Sequence, residues 1–111
     1  MLQNPYVLPV TSQPNQTFKT VLPLGERNVE LTIGLSFREV PGYWTIDITG
    51  KDGVMLLSNL PLVKGGNLLV QYGYLKLGYL TVVEVNPTGE EYPGASQLGS
   101  DFMIVWGEDG G

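Results

Sequence analysis

Apolar positions in this chain recur every second residue, in short runs separated by glycine and proline. The clearest run is NVELTIGLSF (28–37). There Val29, Leu31, Ile33, Leu35 and Phe37 fall on one side of an extended backbone, and Glu30, Thr32, Gly34 and Ser36 on the other. The turn signal REVPG leads into YWTIDIT (43–49), with Trp44, Ile46 and Ile48 facing inward and Thr45, Asp47 and Thr49 outward. GKDG then supplies residues that tolerate positive φ, as a tight hairpin requires, and VMLLSN continues as a third strand. These runs predict a β-meander. Upstream, TFKTVLPL (17–24) groups Phe18, Thr20, Leu22 and Leu24 and turns through GERN into the strand from Asn28. Pro23 has no N–H for a ladder, which predicts a sheet edge or a strand end. PYVLPV (5–10) is a candidate short strand, followed by a polar TSQPNQ linker.

Downstream, YLTVVEV (79–85) is apolar or β-branched on both faces, the pattern of a strand covered from two sides. NPTGEEYPGASQLGS is a long loop, and DFMIVWG is a closing strand. Six to eight short strands without a sustained helical period predict an all-β fold, a small β-sandwich or partly open β-barrel of mostly antiparallel strands. The expected organisation is an extended N-terminal arm over 1–16, one β domain over 17–106 and an acidic flexible tail over 107–111.

One stretch breaks the alternation. LPLVKGGNLLVQYGYLKLG (60–78) is apolar and tyrosine-rich, but glycines at 65, 66, 73 and 78 interrupt it. LPLV reads as a strand that contains a proline. NLLVQY reads equally as one helical turn, with Asn67 as N-cap and Leu68, Leu69, Tyr72 and Leu75 on one side. Such a crossover either caps an open end of the fold or also presents apolar surface to a neighbouring subunit. On the second reading, Leu62, Asn67, Leu68, Leu69, Tyr72 and Tyr74 are the candidate protein-contact residues.

At 111 residues the chain has the length of one domain, which hides roughly two-thirds of its unfolded surface. Only 15% of the residues are charged, which fits a surface partly covered by partners and fits a tight β-protein equally well. The net charge is −5 and the six cations are scattered, whereas phosphate binding needs them clustered. A direct nucleic-acid partner is therefore not expected. The start, MLQNPYVLPVTSQPNQ, lacks the basic region and long apolar run of a signal peptide, and no apolar run reaches a membrane span. The expectation is a soluble protein made in the cytoplasm, with no membrane partner.

The chain has no His and no Cys, which removes Ser-His-Asp and Cys-His nucleophiles, His-ligated zinc and disulfides. Paired carboxylates about 5–9 Å apart could still hydrolyse glycosides. The acids, however, fall mostly in turns or on outward strand positions, where solvation explains them. Asp52 belongs to a hairpin signal rather than a calcium loop. Glu90, Glu91 and Asp101 read as an acidic loop more readily than as ion ligands, and VKGGN lacks phosphate-loop spacing. No enzyme activity, metal or cofactor is expected. Aromatic platforms on a β-sandwich can stack sugars, so a carbohydrate-binding module of a host-recognition apparatus is the alternative reading. Trp44 and Trp106 match inward positions, leaving Tyr72 and Tyr74 as the candidates for surface contact.

Four motifs, in this order, carry a family resemblance: NQTF (15–18); GYWTIDI (42–48) followed by Asp52-Gly53; LPLVKGGNLL (60–69) leading into YGYLKLG (72–78); and LGS (98–100) before the last strand. Together they resemble the cyanophage-type baseplate plug domain of contractile-tailed phages and prophages. Lys64 stands where such domains often carry proline, and the GEDGG ending is individual to this chain. The resemblance implies a small, non-catalytic β-protein of the virion, placed in the tail baseplate near the axis between tail tube and hub or spike proteins. It further implies host cytoplasm during assembly and a homo-oligomer in the assembled ring, with three copies as the working expectation.

Overall fold

A computed structural model describes residues 2–13, 15–24, 27–40, 42–75, 77–87, 92–94 and 97–109, with the side chains of 2–5, 23–24, 27, 74–75 and 108–109 outside the described set. Among the described residues, seven strands form two antiparallel sheets that enclose one core in a sandwich-like arrangement, without barrel closure. The strands are β1 (Leu2–Val7), β2 (Asn15–Leu24), β3 (Arg27–Arg38), β4 (Tyr43–Gly50), β5 (Met55–Pro61), β6 (Tyr79–Glu84) and β7 (Phe102–Asp109). The large sheet runs β2-β3-β4-β5 and the small sheet β1-β7-β6.

The meander forms as the alternation predicts. Phe18, Ile33, Ile48 and Leu57 stand opposite one another across the large sheet, and so do Gln16, Leu35, Ile46 and Leu60. Ile33, Leu35, Trp44, Ile46 and Ile48 are buried. The turn after β4 is built by the residues that announced it. Gly53 adopts φ +83°, and the Asp52 carboxylate accepts a hydrogen bond from the Val54 N–H at 3.2 Å. Thr20, a polar residue on an inward face, is buried with its hydroxyl 3.4 Å from the Tyr6 hydroxyl, which links the two sheets.

Edges are managed individually. β2 is an edge strand, as Pro23 predicts. At the opposite edge, β5 carries an extra residue between the pairs Ile48↔Leu57 and Ile46↔Leu60. Asn59, at φ 56°, sits in this bulge, where its N–H donates to Asp47 Oδ1 at 2.7 Å and its Oδ1 accepts from Arg38 at 2.6 Å. Bulges and prolines of this kind resist pairing with another chain's strand.

At the N-terminal end, Leu2–Val7 pairs antiparallel with β7, and Leu8 is buried in the core. The reason is that β7 needs a partner on each side and β1 supplies one. Gln16 ties the next turn, its Nε2 donating to the Thr11 carbonyl at 2.7 Å. Likewise β7 continues to Asp109, so Gly107, Glu108 and Asp109 of the expected tail belong to a strand. Gly110 and Gly111 lie outside the described residues.

Candidate interaction surfaces

The connection over residues 62–78 takes parts of both readings offered by its sequence. The Leu62 N–H still donates to the Trp44 carbonyl, at 2.9 Å, so the chain leaves β5 along the large sheet. It then crosses to the small sheet and lies beside β6, with Lys64 and Gly65 bridging Val82. The Thr81 hydroxyl donates to the Gly65 carbonyl at 2.7 Å, and Lys64 Nζ meets Glu84 Oε1 at 3.1 Å. Asn67 does cap the helical turn, its Oδ1 accepting from the Leu69 N–H at 2.9 Å. The same oxygen also accepts from the Leu80 N–H of β6 at 3.1 Å, so one side chain starts the turn and fastens it to the sheet. The 3-10 helix Val70–Leu75 follows, kinked at Tyr72.

This arrangement redistributes the candidate contact residues. Leu62 and Leu69 are fully buried in the chain's own core, so they have no area left for a partner. Leu68 and Tyr72 are half-buried and pack against that core. Asn67 is committed to its two backbone donors. The side chain of Tyr74 lies outside the described residues. What the turn does present is Val70, 73% exposed, with Gln71 beside it. Periodicity pointed to the buried side of the turn, because that side is the one with regular apolar spacing.

Both tryptophans are core residues, and each secures one irregular connection. Trp106 of the small sheet donates its Nε1–H to the Leu77 carbonyl at 2.6 Å, at the end of the 62–78 connection. Trp44 of the large sheet donates to the Gly94 carbonyl at 2.9 Å, in the loop between β6 and β7. That loop closes on Leu98, which is buried, and on Gly99 at φ +87°. A Cβ at Gly99 would lie 2.6 Å from the Val10 carbonyl oxygen, so only glycine fits there.

The described acids are largely engaged in structure. Asp47 and Asp52 hold the bulge and the hairpin, Glu84 pairs with Lys64, and Asp101 accepts from Asn86 Nδ2 at 3.1 Å. Glu90 and Glu91 lie outside the described residues, and no cluster of three potential ligands for a metal occurs among the described ones. No helix among them is long and apolar enough to cross a membrane. An open cleft of about 680 Å³ lies at one end of the sandwich, lined by residues that include Asn28, Leu31, Lys51, Leu56 and Leu77. Tyr43 and Tyr92 stack on each other, centroids 5.7 Å apart, so each ring covers one face of the other.

A surface that sequence reasoning missed is the outer face of the small sheet. Register places Val7, Val105 and Thr81 side by side, and Met103 beside Val83, on the side opposite the buried Ile104, Val82 and Trp106. Val7, Val83 and the adjoining Val85 are 55%, 42% and 52% exposed. The two-sided apolar pattern of 79–85 predicted cover on both faces. Among the described residues β6 is covered on one, because the 62–78 connection lies along its edge and not over its outer face.

The quoted motifs thus have specific structural duties: Gln16 ties a turn, Trp44 anchors a loop, Asn67 fastens the crossover and Gly99 permits a close approach. They describe a fold, and comparison with known families agrees with that. The chain matches no curated protein individually. The sequence profile of the family described as cyanophage baseplate Pam3 plug gp18 matches residues 6–109, all seven strands falling wholly or partly within that span. The chain therefore belongs to the cyanophage baseplate plug family and is a structural protein of the phage tail baseplate.

Proposed function

We propose that this chain bridges tail-tube and hub or spike subunits near the tail axis and helps to close the channel there. The observation that carries the reading is the family match over nearly the whole sandwich. The physical support is a fold in which both indole N–H groups, Asn67, Asp47 and Asp52 all hold the chain to itself. Such a body acts by shape and adhesion. Its place of work is the virion baseplate, after assembly in the host cytoplasm, with several copies, three as the working number, arranged about the axis.

The exposed side of the 3-10 helix is the proposed first contact, through Val70 and Gln71, with Leu68 and Tyr72 supporting it from below, and Tyr74 of the same helix is proposed to join it on the ground of its sequence position alone. Truncating an interface anchor typically costs about 2 kcal/mol or more in binding. Tails assembled with Val70→Lys/Tyr74→Ala protein are expected to lose the chain, while the isolated variant keeps the wild-type melting curve. Tails that assemble normally without this chain, with an unchanged density profile along the axis, would overturn the function. Normal incorporation of the double variant would overturn only the contact.

A further inference from the structure

We infer that the outer face of the small sheet is a second docking surface, and that its occupant is a different baseplate subunit presenting an apolar face ringed by lysine or arginine. The inference deepens the connector reading and rests on it.

The first observation is the uncovered apolar patch itself. Val7, Met103, Val105 and Val83 form adjacent rows, with Val85 beyond them. Three strands spaced about 4.8 Å apart give a flat footprint of roughly 300 Å². That suffices for the centre of an interface but not for a whole one, since a stable interface hides about 800 Å² on each partner. The occupant must therefore reach past the apolar rows onto their surroundings.

The second observation is how charge divides along the chain. All six cations lie within residues 19–76, which form the large sheet and the crossover, and with five acids they give that part a net +1. The remainder, comprising β1, β6, β7 and their loop, contains six acids and no cation, a net −6. β7, the central strand of the small sheet, is preceded by Asp101 and ends in Glu108 and Asp109. The one described cation that reaches this layer, Lys64, is held by Glu84. An apolar patch on strands whose own chain segments carry acids and no cation selects a partner with a basic rim.

The same division argues against a second copy of this chain. Joining two small-sheet faces would bring together two chain segments that each carry a net −6. Joining the small sheet of one copy to the large sheet of the next would set valines against Thr17, Lys19, Thr32 and Asp47. Neither arrangement pairs apolar with apolar and acid with base.

The test uses the full chain and the purified tube, hub and spike proteins encoded with it, measured pairwise by titration at several salt concentrations. One of these is expected to bind, more weakly as salt rises. Val83→Lys/Val105→Lys should weaken it by at least about tenfold, and Val83→Thr/Val105→Thr, which preserves strand propensity, by less. Thr17→Lys/Thr32→Lys on the large sheet should leave it unchanged, and thermal melting checks that every variant is folded. Wild-type binding that the small-sheet variants do not alter overturns this surface but leaves the connector function standing. Salt-independent binding overturns the basic rim. Self-association lost in Val83→Lys/Val105→Lys, or adsorption of the wild type to zwitterionic vesicles, assigns the face to a second copy or a lipid surface and overturns the proposal. Wild-type protein that binds none of the three removes the connector function as well.

Discussion

The two sheets are built alike on the inside and differently on the outside. Each contributes one fully buried tryptophan whose N–H holds an irregular connection, Trp44 for the β6–β7 loop and Trp106 for the crossover. Outside, the large sheet sets Thr17, Gly34 and Asp47 in one row and Lys19, Thr32 and Thr49 in the next. Its exposed apolar residues there, Val21 opposite Glu30 and Met55 opposite Thr49, are separated on the two edge strands. The small sheet sets valine beside valine and valine beside methionine. A solvated face of an antiparallel sheet is ordinarily polar, and only the large sheet follows that rule. Stability of the isolated chain explains the large sheet completely. It does not explain the small one, whose outer face is the one proposed above to meet a neighbour.

The comparison can be broken first at its interior. If the two tryptophans are equivalent anchors, Trp44→Ala and Trp106→Ala each cost about 3–5 kcal/mol in chemical denaturation, because each opens a large cavity and frees a buried carbonyl. A small loss for one would mean that its sheet is not anchored as described. Next in size is Asn67→Ala. It leaves the Leu69 and Leu80 N–H groups without their acceptor and should cost about 1–2 kcal/mol, with amide exchange accelerating at residues 67–80 and not in β2 or β3. The smallest effect belongs to the outer faces. Val83→Thr and Thr32→Val exchange the character of one position on each sheet, and both should stay within about 0.5 kcal/mol of wild type. A larger loss from Val83→Thr would show that the apolar face serves the fold and not a neighbour.

Much of this was legible in the chain. The meander, the hairpin at Asp52-Gly53, the edge position of β2 and the inward tryptophans follow from period-two alternation and turn chemistry, which act over a few residues. Asn67 was legible as a cap because capping too is local, but its second bond, to Leu80, joins positions 13 apart and leaves no sequence signal. The candidate contact site was legible only in outline. Apolar spacing in 62–78 marked Leu62 and Leu69, which the fold consumes in its own core, while Val70 carried no periodic mark. The family motifs behaved in the same way: they encode closure of the fold, so they identify relatives without locating contacts.

Sequence alone determined the class of the protein. Alternation sets which side chains can share a face, and the lack of imidazole and thiol narrows the chemistry regardless of folding. Tertiary structure alone decided which apolar face stays bare. In β6 and β7 both faces are apolar, and nothing in a strand's own residues says which of them its chain will cover. That depends on register and on the route of the crossover along an edge, both of which arise from contacts between residues far apart in the chain.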